Sequence, residues 1–89
     1  MDDVIVTLEF EGGYEPIDVE LPVKLRIDEL EKKVLETLIE MDFERFGSVK
    51  KIKLSCGGMQ LDPDKTLEEY GIWDGGILHV AEMESVKSE

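Results

Sequence analysis

The chain is poor in cysteine, proline, aromatic residues and positive charge. A single cysteine, Cys56, excludes an intrachain disulfide, so covalent staples do not hold the fold and a reducing compartment is favoured. Lys and Arg number 10 against 22 Asp and Glu, a formal net charge of −12. Nucleic acid is thereby disfavoured as a partner class, because affinity for it comes from neutralising phosphates with Lys and Arg. An anionic membrane surface would also repel the chain on average. No apolar run approaches the roughly 20 residues that span a bilayer. Met1-Asp2-Asp3 is acidic and leads straight into a strand pattern, unlike a signal peptide. The expected location is cytoplasmic, with any membrane role reached through a protein recruiter. At 89 residues the chain holds one domain.

What is present is a run of strand and helix patterns. Val4, Val6, Leu8 and Phe10 alternate with Ile5, Thr7 and Glu9, which predicts a strand with one buried face. Glu11-Gly12-Gly13 supplies a turn. Ile17, Val19 and Leu21 then alternate with Asp18 and Glu20 in a second strand, placed at a sheet edge by Pro16. From Ile27 the spacing becomes helical: Ile27, Leu30, Val34, Leu38 and Met41 form the buried stripe, widened by Leu35 and Ile39. Asp28, Glu29, Glu31, Lys32, Lys33, Glu36 and Glu40 fill the solvated face. Asp28 and Glu31 have capping-box spacing, yet Ile27 fits the stripe, so the helix start lies open between the two. Phe43 and Phe46 sit in a less regular segment ending at Gly47-Ser48.

A third strand is expected over Val49 to Cys56, with Ile52, Leu54 and Cys56 inward and Lys51, Lys53 and Ser55 outward. Gly57-Gly58 turns the chain into a minor strand at Met59-Gln60-Leu61. Thr66-Leu67-Glu68-Glu69 has capping-box spacing and opens a helical turn that Gly71 ends. Asp74-Gly75-Gly76 precedes a last strand over Ile77 to Ala81, and the polar residues after it read as a flexible tail. The division is a domain over residues 1–82 and a tail over 83–89. One helix packed across one face of a mixed sheet is an α+β architecture.

The stretch from Leu54 to Val80 resembles the C-terminal half of ubiquitin-like domains: a glycine turn, a short strand ending in Gln60-Leu61, a Thr66-Leu67-x-x-Tyr70-x-Ile72 turn, and a closing strand with Leu78-His79. Residues 3–82 as a whole are similar to that superfamily. Within it, Val4-Ile5-Val6-Thr7-Leu8-Glu9-Phe10, Asp18-Val19-Glu20-Leu21-Pro22, Ile27-Asp28-Glu29-Leu30 and the Asp74-Gly75 turn most resemble the YukD/EsaB group of small bacterial proteins. The resemblance implies a β-grasp fold with a mixed four- to five-stranded sheet, the first and last strands central and parallel. It also implies a role as a cytosolic accessory component of a type VII (ESX-like) secretion system, with a protein partner such as a membrane-bound secretion component.

Departures from ubiquitin itself bear on function. His79 matches a residue of ubiquitin's recognition patch, but Ser55 and Ala81 stand where ubiquitin has larger aliphatics. Each loss forfeits about 1.5–3 kcal/mol of burial. Met59 replaces a chain-forming lysine, and Glu82 to Glu89 carry no Gly-Gly pair for thioester chemistry. Gly75-Gly76 cannot substitute, because cleavage there removes the last strand. A non-conjugated interaction module is therefore expected. The rivals are a ubiquitin-like adaptor of another pathway and, further off, a sulfur carrier or conjugated modifier.

Catalytic, metal and cofactor sites are not expected. Cys56 and His79 fall on opposite faces by alternation. Asp62-x-Asp64 begins like a calcium loop but has Leu67 at the position that needs glycine. The glycine pairs do not precede helices as phosphate loops do. The expected protein-binding residues lie on the outer sheet face and beside it: Lys50, Lys51 and Lys53 as one dense basic cluster, then Ser55, Ile77 and His79. Those lysines equally fit a solvated edge that resists aggregation. Trp73 fits either a partner anchor or, the favoured reading, a cover over the core.

Overall fold

The computed structural model describes residues 3–12 and 14–85. The alternating segment at the start of the chain forms β1 (Asp3–Phe10), and its valines and leucine, Val4, Val6 and Leu8, are buried while Ile5 and Glu9 face water. It pairs antiparallel with β2 (Ile17–Pro22), in register Val6 to Val19. Helix α1 (Ile27–Met41) and the short α2 (Phe43–Phe46) follow, then β3 (Val49–Cys56), β4 (Met59–Gln60), α3 (Leu67–Tyr70) and β5 (Ile77–Ser85). Among the described residues the sheet has five strands in the order β2-β1-β5-β3-β4. β5 lies parallel to β1, Leu8 beside Leu78, and antiparallel to β3, Leu54 beside Val80. The first and last strands are therefore the central neighbours.

α1 lies across the inner face. Its Ile27, Leu30, Val34 and Leu38 meet Leu8, Ile52, Leu54, Leu78 and Val80 in a single apolar core. Leu61, Leu67 and Ile72 seal that core from the loops. The helix begins at Ile27 without a side-chain cap. Instead, Ile27 N–H donates to the Lys65 carbonyl at 2.7 Å and Asp28 N–H to the Pro63 carbonyl at 3.1 Å, so the loop before α3 satisfies helix donors that would otherwise be orphaned. That loop is held by the expected capping box, Thr66 and Glu69 exchanging side-chain and backbone bonds, and by Gly71 at φ 70° closing α3. At the other end, Phe10, Tyr14 and Phe46 stack edge-on and tilted, with the Arg45 guanidinium over the Phe46 ring at 4.8 Å.

Several expectations are overturned. Glu31 is not on the solvated face: it is 6% exposed, and its carboxylate accepts the Leu54 N–H at 3.1 Å. A buried strand N–H without a partner costs free energy, and this carboxylate supplies the partner. Met41 leaves the buried stripe and is exposed at the C-terminal end of α1. Phe43 to Phe46 is a helical turn, capped by the Asp42 carboxylate on the Arg45 N–H, which delivers Phe46 to the core. In β3 the alternation breaks: the register shifts around Lys51, so Val49 and Ile52 both point inward with Lys50 and Lys51 exposed between them. β5 runs past Ala81 to Ser85, where it pairs with Val49. The end of the expected tail, residues 86–89, lies outside the described residues.

Two outcomes follow from this packing. Leu54→Ala is expected to destabilise the domain by about 2–5 kcal/mol, since Leu54 is fully buried between α1 and the sheet; an unmoved melting temperature would break the assigned register. The second concerns Glu31. Burial raises its carboxyl above the ordinary 4.5, against the pull of the Leu54 N–H and the Lys53 and Lys51 ammonium groups, with Asp28 adding to the rise. The folded state thus binds this proton where the unfolded chain is still ionised. The stability it contributes is complete below the unfolded value and is lost as pH rises through the folded one. Melting temperature is expected to climb on acidification from neutral pH toward 4.5, and Glu31→Gln, which keeps an acceptor for Leu54, is expected to flatten that climb. Equal slopes for the two proteins would refute the assignment.

Candidate functional site

The outer face of the sheet, turned away from α1, is built from the strand residues that alternate with the core. In one row Thr7 stands between Asp18 and Ile77, its hydroxyl donating to the Asp18 carboxylate at 2.7 Å. In the next row Glu9, His79, Ser55 and Gln60 lie side by side across four strands. Ile5 lies across from Glu20 one step back along β1, and Lys53 across from Ala81 one step further along β5. Acidic side chains thus occupy the β2 side and a lysine the β3 side, so the face carries a charge gradient across its width.

Apolar surface sits within that gradient. Ile5 and Ile77 are 53% and 50% exposed, on the same face of adjacent strands. The turn from Trp73 to Gly76 borders them and is fastened to β1: Gly75 N–H donates to the Ile5 carbonyl at 2.9 Å, Ile5 N–H to the Asp74 carboxylate at 2.8 Å, and Thr7 N–H to the Gly76 carbonyl at 2.8 Å. Trp73 in this turn is 58% exposed, which overturns its reading as a cover for the core. A large indole held at the surface by a rigid turn is an anchor of the kind interfaces favour. The small side chain of Ser55 leaves a shallow hollow beside His79, lined also by Glu9, Ile77 and the Gly57-Gly58 turn. His79 Nε2 lies 3.5 Å from the Glu11 carboxylate.

The residues singled out from sequence are divided by the fold. Ser55, Ile77 and His79 come together on the outer face, with Trp73 in the turn that borders it. Lys50 and Lys51 instead line a groove between β3 and α1, at the sheet's edge, and Lys53, across from Ala81 on the outer face, borders the same groove. Cys56 and His79 do not meet: Ser55, not Cys56, is the cross-strand neighbour of His79, and Cys56 packs half-buried against the core. Two residues were missed. Ile5 alternates outward as expected, but its apolar character at an outward position was the signal for a contact surface. Glu31 carried no signal, since its partner is a backbone N–H on another element.

No curated protein matches the sequence. Solved structures do. The ubiquitin-like domain of the Mycobacterium tuberculosis type VII secretion system protein ECCD1 superposes with a TM-score of 0.72 at 20% identity, covering 91% of this chain and 99% of that one. A chain of the MycP5-free ESX-5 inner membrane complex gives a TM-score of 0.73 at 16% identity over 100% of this chain and 23% of that one. Caldiarchaeum subterraneum ubiquitin gives 0.67 at 17% identity, covering 96% and 99%. At these identities the likeness is one of fold, and the fold is the ubiquitin-like β-grasp. The model of one family, described as WXG100 protein secretion system (Wss), protein YukD, matches residues 4–80. With that match spanning nearly the whole of the strand order, helix and outer face described above, the chain belongs to the YukD family.

Proposed function

We propose that this protein is a non-catalytic, non-conjugated interaction module that serves as a cytosolic accessory component of a type VII secretion system. Its outer sheet face docks on a protein partner belonging to the membrane-bound machinery. The family match over residues 4–80 carries the secretion role. The exposed pair Ile5 and Ile77 beside Trp73 carries the docking role, because a rigid apolar patch on a sheet with polar flanks has no use in the isolated domain. Among the described residues no helix is long and apolar enough to cross a membrane. Gly75-Gly76 belongs to the turn bonded to β1, so processing there would remove a central strand.

The test is genetic. Deletion of the gene is expected to stop export of WXG100-class substrates. Wild-type protein restores export, while an Ile5→Asp/Ile77→Asp variant with an unchanged circular-dichroism melt does not. Burial of one such side chain is worth about 1.5–3 kcal/mol when complete, so a charge at both positions is ample to break docking. Normal export from the deletion strain would overturn the secretion role. Full restoration by the variant would overturn the outer face as the contact. Intact mass from native cells is expected to show the chain without a protein adduct; a conjugate would refute the non-conjugated reading.

A further inference from the structure

The sheet has a second surface that the outer face does not use. β4 covers β3 only at Ser55 and Cys56, and the Leu61 N–H then reaches the Leu54 carbonyl at 3.0 Å. Before that point, from Val49 to Lys53, no strand among the described residues lies on the side of β3 away from β5. On that side the Leu54 N–H meets the Glu31 carboxylate, and strand alternation turns the backbone N–H and carbonyl of Ile52 the same way. Beside this open edge runs a groove of about 380 Å³ between β3 and α1. Leu35, Ile52 and Pro63 supply its apolar lining, and the ammonium groups of Lys32, Lys50, Lys51 and Lys53 outnumber the carboxylates of Asp28 and Glu31 there. Four of the 10 basic residues of a chain with net charge −12 therefore converge on one strand edge. Among the described residues, none of the four forms an ion pair within 4.0 Å.

We propose that this edge is a docking site for an acidic protein segment in extended conformation, which adds to β3 as a further strand alongside Val49–Lys53. Backbone bonds to the open edge give affinity, and alternate side chains of the guest give specificity. Its carboxylates meet the lysines and its apolar residues cover the half-buried Leu35. The molecule already contains the chemistry in miniature: Glu31 puts a carboxylate on this same edge, within the field of Lys51 and Lys53. The shift in β3 register presents Lys50 and Lys51 consecutively, where a regular strand would turn one of them inward. These lysines repel a second copy of the same edge, so the charge that protects the strand from self-pairing also selects an acidic guest. The site shares only Lys53 with the outer face and stands independently of the secretion role.

The experiment is an NMR titration of the isotopically labelled full chain with a short peptide alternating glutamate and valine. Parallel titrations use the same peptide with lysine for glutamate, and oligothymidylate of equal charge. The expected result is amide shifts centred on Lys50–Lys53 and on Lys32–Leu35, with affinity falling about tenfold or more in Lys51→Glu/Lys53→Glu. Should that variant melt early through its effect on Glu31, Lys51→Gln/Lys53→Gln is expected to show a smaller loss in the same direction. Ile77→Asp on the outer face is expected to leave peptide binding unchanged. Shifts confined to β2 or to the outer face would overturn the proposal. So would equal affinity for the lysine peptide, or oligothymidylate binding as well as the acidic peptide, which would mark a patch that reads phosphate charge alone.

Discussion

The parallel pairing of β1 with β5 is the constraint on which everything else in this domain rests. It joins the segments at opposite ends of the fold, Leu8 beside Leu78 and Phe10 beside Val80, and places both strands in the middle of the sheet. Only with these strands in place do Val6, Leu8, Leu78 and Val80 make one continuous floor for α1. The turn fastened to β1 by Gly75, Asp74 and Gly76 sets the register of this pairing at its entry. A slip of one residue would turn His79 and Ile77 into the core and Leu78 to solvent. The core and the outer face are thus two outcomes of one register.

Charge divides the remaining surface. The balance of −12 is not evenly spread: Asp18, Glu20 and Glu9 crowd one side of the outer face, whereas Lys50, Lys51 and Lys53 gather at the far edge with Lys32 from the helix. Interactions between exposed charges fade over about 8 Å at physiological salt, so a partner close to one side feels that side and not the total. Glu31 belongs to the basic edge and tempers it. Its burial is tolerated because it bonds to Leu54 and lies near two lysines, an arrangement in which each group offsets a cost created by another.

Much of the fold was legible because its elements obey local rules. Alternation in Val4 to Phe10, the helical stripe from Ile27 to Leu38, and the Thr66 to Glu69 cap each follow from residue spacing alone, and the structure keeps them. The failures share a physical cause. Glu31 is buried by a partner 23 residues away in sequence, which no periodicity reveals. Met41 is apolar at the right spacing, but whether a helix position is covered depends on what other elements pack against it. The break in β3 comes from a local insertion in strand pairing, invisible until the neighbouring strand is known. For the site, alternation brought Ser55, Ile77 and His79 together, while the same register shift and the groove beside α1 moved Lys50 and Lys51 to a separate surface.

The central position of β5 has a consequence for how the protein comes into being. Synthesis proceeds from the N-terminus, so β1, β2 and α1 leave the ribosome with their apolar faces made and no floor to receive them. A β1–β2 hairpin alone is marginally stable in water, and α1 gains most of its stability from packing. The closing strand is translated after nearly all the rest, and until it slides between β1 and β3 those two strands have no common neighbour. The sheet of this domain therefore closes only after Ile77–Ser85 has been made. Until then its apolar faces lack their floor, and the strong excess of carboxylates along the chain sets unfolded copies against one another by like-charge repulsion.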